Sequence, residues 1–337
     1  MGKSKKKKIS LKCFYGIPHC HTAFSTGRGN PNDAYEYSKN NGLDFIIITD
    51  HNSYLSKDIS WNNKQVSKWT ILKAMCERFS KKTDSFLPMI GFETKTSYYG
   101  DFNIINSSTY FTGVVNDLKL LLIWMLNNPE AIVTINHPHR NILSLENNDV
   151  LNKIITSIEV GNGSYPHKYV RHDKYYYALL DKGWKLGAIN GQDNHRINFG
   201  DGDNLTGVLS YSLSKEDIIE AFRERRTFST ESRTLNMYFT INDCIMGSVI
   251  YTTDNILRFM IFAEDIKIKI KSIEIVSNKG AIIKKIDNIN LNSIKYLYDH
   301  KCEEKESWYL IRIWQHDNRL AISSPIFISD KEEVVSK

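Results

Sequence analysis

The chain has 337 residues, 41% hydrophobic and 24% charged, the profile of a folded protein large enough for one sizeable domain and a smaller one. Its formal charge of +6 sits in residues 1–12, which hold six Lys and no acid; the neutral remainder argues against a nucleic-acid groove, and 1–12 read as a basic, disordered tail. No apolar run approaches the roughly 18 residues of a membrane span, no apolar signal core follows the lysines, and five scattered Cys without a CxxC pair fit a reducing compartment, so a cytoplasmic chain is expected.

In chain order, residues 13–232 alternate strand-like and helix-like stretches. Apolar runs at 44–49, 87–92, 131–135, 157–160 and 186–189 suit buried strands. Helices are expected over 33–40, closing at Asn41-Gly42, and over 66–81, 115–127, 169–182 and 215–225. Such alternation implies a parallel sheet or barrel. From 233 to 330 the pattern changes to short alternating runs (236–241, 256–262, 271–276, 281–284, 308–314 and 326–328) separated by turn residues such as Asn242-Asp243. That pattern predicts a small all-β sandwich, Ig-like in size, with 331–337 as a tail.

The ionisable residues fall at one recurring place. His19 and His21 follow the first apolar run. Asp50 and His51 follow the run at 46–49, and Glu93 follows 89–92. His137 and His139 follow 132–135, Glu159 and Asn162 close the next run, and Asp193 and His195 follow 187–190. Strand C-terminal ends of a barrel converge on one face, so these groups can meet although distant in sequence. A single His at a strand end is more often structural than a ligand. A His-x-His pair is stronger, because period two aims both rings the same way and turns Cys20 away.

An imidazole and carboxylate set without thiolate favours Zn, Mn or Fe and suggests more than one ion, with Glu93 placed to bridge. Such a set serves hydrolysis, and no phosphate loop, nucleophile elbow or dinucleotide fingerprint competes with it. The loops carry further candidates. His139 and Arg196 are expected as catalytic groups, and Arg140, His167 and Arg171 as substrate-binding ones. Asp50, Glu159 and Asn162 are expected to orient ligands.

Five blocks resemble the PHP (polymerase and histidinol phosphatase) family of metalloesterases: 18–25 (PHCHTAFS), 48–52 (ITDHN), 91–93 (GFE), 136–138 (NHP) and 191–195 (GQDNH). Further blocks, including Gly100-Asp101-Phe102-Asn103, Ile158-Glu159-Val160-Gly161-Asn162 and Arg226-Thr227-Phe228-Ser229, are similar to the branch that includes carbaryl-type hydrolases. The resemblance covers about 13–329. It implies an α/β fold, a distorted seven-stranded (β/α) barrel followed by the sandwich. It implies that His19, His21, Glu93 and Asp193 hold a first ion, Glu93 and His137 a second, and His51 and His195 a third.

Two departures bear on that set. The turn after the paired histidines carries Thr26, a poor ligand, where the family has an acid or His. Asp101 stands where the branch has His, a harder donor that favours Mn or Fe over Zn. The expected function is phosphoester hydrolysis by a metal-bound hydroxide on a small molecule. The alternatives are carboxylic ester, carbamate or amide hydrolysis, for which Tyr98, Tyr99 and Phe102 would line an apolar pocket, and a degenerate site kept for binding. Substrate and oligomeric state are not read from the sequence.

Overall fold

The computed structural model describes residues 10–251 and 255–329; most of the basic tail and all of the expected 331–337 tail lie outside the described residues. Strand β1 (Lys12–Ile17) leads into α1 (Pro31–Asn40), which opens with a capping box between Asn30 and Asp33. Next come β2 (Phe45–Ile48), α2 (Asn52–Leu55), the hairpin β3 (Asp58–Trp61) and β4 (Lys64–Ser67), and α3 (Lys68–Ser80). The helix expected from residue 66 therefore starts at 68. Asn62 and Asn63 take φ of 50° and 63°, which closes a two-residue hairpin turn in their place.

The first half continues with β5 (Leu87–Lys95), β6 (Asp101–Ile105), α4 (Leu118–Leu126), β7 (Ile132–Ile135), α5 (Asp149–Ile154) and β8 (Ile155–Asn162). It ends with β9 (Val170–Arg171), α6 (Asp173–Asp181), β10 (Gly187–Gly191), β11 (Leu205–Ser210), α7 (Lys215–Arg223) and β12 (Thr227–Thr230). The hydrogen-bonded order is β10-β8-β7-β6-β5-β2-β1-β11-β12. Strands β2, β7 and β8 are buried along their whole length, as strands covered on both faces must be.

The hydrogen-bond ladder departs from the expected seven-stranded barrel. Strand β6, unforeseen in the sequence, runs antiparallel between β5 and β7. Strand β11 has both edges occupied, by β1 and β12, so β10 has no ladder to join there. The ends meet through side chains instead. The Thr206 hydroxyl lies 2.9 Å from both Asn190 N and Asn190 O, and Asn190 Nδ2 donates to Thr230 O at 2.8 Å.

The C-terminal strands are β13 (Leu235–Ile241), β14 (Cys244–Ile245), β15 (Val249–Tyr251), β16 (Ile256–Asp265), β17 (Ile270–Ser277), β18 (Ala281–Ile286), β19 (Ser293–Lys301), β20 (Trp308–Gln315), β21 (Leu320–Ser323) and β22 (Ile326–Ser329). They form two sheets. One is β14-β13-β16-β19; the other continues from β12 through β21, β20, β17 and β18. Met237, Phe239 and Phe259 of the first pack with Ile273, Ile311 and Ile313 of the second in a separate core. Alternating burial along β13 and β16 is what a half-solvated antiparallel sheet requires. The division expected at 232/233 is bridged by backbone, because β12 pairs with β21. No helix among the described residues is long and apolar enough to cross a membrane.

Candidate metal centre

Residues 19–21 run extended between two neighbouring segments. Thr49 N donates to Cys20 O (2.9 Å), His21 N to Asn194 O (2.9 Å) and Asp193 N to His19 O (3.0 Å). Period two then puts both imidazoles on one side. Cys20 lies on the other, fully buried in the core, with its thiol toward Ile47 O.

Glu93, 1% exposed, is the hub. Its Oε1 lies 3.3 Å from both His19 Nε2 and His137 Nε2, and its Oε2 lies 3.4 Å from His21 Nε2 and 2.9 Å from His51 Nδ1. Asp193 Oδ1 lies 3.4 Å from His19 Nε2 and 3.1 Å from His21 Nε2. Asp101 Oδ2 stands 4.0 Å from His137 Nε2. Four overlapping groups have donor atoms within 4.8 Å of one another: His21, His51 and His195; His19, His137 and Asp193; His19, His21 and Glu93; and Glu93, Asp101 and His137. The structure thus brings together all eight residues expected to hold metal.

Two of the eight stand on unusual backbone. His137 and Asp193 have φ of 23° and 49°, which side-chain-bearing residues adopt only when their surroundings enforce it. For His137 the enforcing group is Glu159, whose Oε2 accepts the His137 amide at 2.5 Å and Asn162 Nδ2 at 2.8 Å. The other Glu159 oxygen takes His19 Nδ1 at 2.7 Å. Asp50 points elsewhere. It accepts from Thr22 N (2.8 Å), Thr22 Oγ1 (2.6 Å) and Ser25 Oγ, and so shapes the turn after His21.

The donor chemistry fits a bound cation. A carboxylate only accepts, so the His19 proton sits on Nδ1 and Nε2 presents a lone pair; His195 Nδ1 likewise faces Asp193 O at 2.9 Å. His19 Nε2 nevertheless lies 3.2 Å from His21 Nε2, an approach that suits one shared cation. The charge balance shows a demand for positive charge beside the carboxylates, which protons on the imidazoles or a bound cation can supply. Burial pushes the His19 and His21 pKa values down, yet the facing carboxylates win. They raise His19 well above its ordinary value and His21 to about 9. Burial pushes Glu93 up, and His19 and the other imidazoles hold it well below. Buried negative charge calls for a positive partner.

The loop candidates separate. His167 stacks edge-on at 5.8 Å from His195, and Arg196 lies over the Tyr165 ring at 5.9 Å. His139 and Arg140 are exposed beside His137. Arg171 does not stand free as a substrate anchor: it makes a two-pronged pair with Glu231 at 2.6 and 2.7 Å and lies over Trp314. Phe102 is fully buried in the core and lines no pocket; neighbouring residues on a strand face opposite ways, and Asp101 takes the open side. Asn136, which donates to Glu93 Oε1 at 2.8 Å, was missed although it sits in the Asn-His-Pro block. Thr26 is exposed, and the His21, His51 and His195 group contains no carboxylate.

The fold and these side chains define an α/β protein with a buried imidazole–carboxylate centre at its strand ends. No protein-family model and no curated protein matches the chain. Among solved structures, a two-domain protein from Bacteroides vulgatus, described as containing a predicted PHP-like metal-dependent phosphoesterase, is similar over 93% of this chain and 95% of its own. Its identity is 17% and its TM-score 0.53. A candidate metal-dependent phosphoesterase from Bifidobacterium adolescentis overlaps 62% of this chain and 95% of its own (13% identity, TM-score 0.38). An amidohydrolase from Chromobacterium violaceum overlaps 53% and 87% (11%, 0.34). The Bacteroides likeness spans both halves of the chain and shows a shared fold.

Proposed function

We propose that the chain is a metal-dependent phosphoesterase acting on a small molecule. The observation that carries this is Glu93 touching four imidazoles from three separate segments, with Asp193 and Asp101 closing the group. His19, His21, Glu93 and Asp193 would hold one divalent ion, and Glu93, His137 and Asp101 a second. His51, His195 and His21 offer a third position poorer in charge. Zn, Mn or Fe suits these donors, and Asp101 favours Mn or Fe. Bound ions would supply Lewis acidity toward a phosphoryl oxygen and acidify water.

The chain's own groups do the rest. Glu159 fixes the His19 tautomer and the His137 backbone. Arg196, a fixed cation, and His167, beside His195, are donors for the remaining phosphoryl oxygens. His139 Nδ1 accepts from Asn141 N at 3.3 Å, which leaves its Nε2–H to donate a hydrogen bond to the leaving oxygen. This rim of hydrogen-bond donors around Arg196, with Phe102 withdrawn into the core, supports a phosphoester over an apolar ester or carbamate. The likeness to the carbaryl-type branch rests on the sequence blocks.

The test is metal analysis of purified chain followed by a panel of aryl phosphate mono- and diesters, aryl esters and carbamates with Mn or Zn. Bound transition metal and phosphatase turnover are expected. No metal after careful preparation, or turnover of carbamates alone, overturns the reading.

A further inference from the structure

The C-terminal strands grip the loops that carry the centre, through residues two apart in sequence. Segment 231–234 joins β12 to β13 and is pinned to Asp265. That buried carboxylate accepts from Ser232 Oγ (2.8 Å), Thr234 Oγ1 (2.8 Å), Gln315 Nε2 (2.7 Å) and the amides of Lys267 (2.8 Å) and Ile268 (3.1 Å). From this base Arg233 forks. Its Nε meets Asp203 Oδ1 at 2.5 Å, one terminal nitrogen meets Gly200 O at 2.7 Å and the other meets Asn41 O at 2.9 Å. Arg319, between β20 and β21, takes the second Asp203 oxygen at 2.7 Å. Glu231 holds Arg171 and also accepts Leu320 N at 3.0 Å.

Each gripped loop delivers site residues. Loop 192–204 carries Asp193, His195 and Arg196, and the hold at Gly200 passes inward. Gln192 Oε1 accepts Gly200 N (3.1 Å) and Asn194 Nδ2 (3.2 Å), and Asn194 O in turn accepts His21 N. Loop 163–171 carries His167. It is tied to the first loop by Asn198 Nδ2 to Tyr165 O (2.6 Å) and Asn204 Nδ2 to Gly163 O (2.9 Å). Asp193, at positive φ, keeps that backbone only while its neighbours hold it.

We propose that Arg233 and Glu231 are positioning residues, and that the C-terminal strands complete the metal centre by clamping the two loops that bring Asp193, His195, Arg196 and His167 to it. The inference rests on the metal-centre reading above. Half-exposed ion pairs are worth little alone; the planar guanidinium matters because it fixes two backbone carbonyls and a carboxylate at once, which an ammonium cannot do.

The test uses the full chain with Arg233→Ala, Arg233→Lys and Glu231→Gln. Metal affinity is read by chelator competition, amide exchange by mass spectrometry, and kcat and KM separately. Both Arg233 variants are expected to weaken at least one ion about tenfold, to speed exchange across 192–204, and to lower kcat. The lysine fails to rescue because charge without the fork is insufficient. Glu231→Gln speeds exchange in 163–171 and raises KM. Arg233 variants that fold with wild-type metal affinity, exchange and kcat overturn the proposal. A wild-type chain without metal removes the functional reading by itself; the exchange readout then still decides the clamp, faster exchange upholding it and unchanged exchange overturning it.

Discussion

Glu159 Oε1 lies 2.7 Å from His19 Nδ1, with both side chains fully buried. The same carboxylate accepts the amide of His137, so one residue sets the tautomer of one donor and the backbone of another. Glu159→Gln cannot satisfy both, since an amide has a single accepting oxygen. Metal affinity is expected to fall about 10–100-fold, measured by chelator competition. Wild-type affinity would show that Glu159 orients nothing.

His19→Ala removes a nitrogen that faces both Glu93 and Asp193. The expected outcome is loss of bound metal and of activity together, read by elemental analysis and turnover. Retained stoichiometric metal would take His19 out of the ligand set.

Asp101 decides the character of the second ion. Asp101→His replaces a hard oxygen with imidazole nitrogen and is expected to shift preference toward Zn in competitive loading. An unchanged Mn-to-Zn ratio would mean that Asp101 touches no ion.

Acid should loosen the base of the loop clamp. Burial pushes Asp265 up, but the amides of Lys267 and Ile268 and the hydroxyls of Ser232 and Thr234 hold it below the usual carboxylate range. A depressed folded pKa gives stability that is fully present above the unfolded value of about 3.9 and is lost as pH falls through the folded one. Denaturation midpoints should therefore drop below about pH 4. Asp265→Asn should be less stable by about 1–3 kcal/mol at neutral pH, because an amide nitrogen would face donors. It should also lose less on acidification; equal acid slopes would remove Asp265 from the account.

The cluster of ionisable side chains was legible in the sequence because its chemistry is local. Each donor stands within a few residues of a strand end, where a run such as Phe45–Ile48 stops and a polar residue follows. The His19–His21 pair even declared its geometry, since period two is a property of any extended chain. Strand β6 was not legible, because Phe102, Ile104 and Ile105 are buried without alternation and follow a helix-free turn. Nor was the β3–β4 hairpin, whose Asn62-Asn63 turn looks like any polar loop until both residues take positive φ.

By itself the sequence singled out the ionisable residues that meet in the fold, the α/β alternation that presents them, and the strand-rich character of the described residues after 232. These follow from side-chain chemistry and short-range periodicity. Only the tertiary structure decided that Glu93 reaches four imidazoles, that Arg171 belongs to Glu231, and that β12 carries one sheet across both halves. Those outcomes depend on which strand edges remain unpaired and which distant charges meet, and contacts such as Arg233 to Asp203 or Asn190 to Thr206 exist only after the chain has closed on itself.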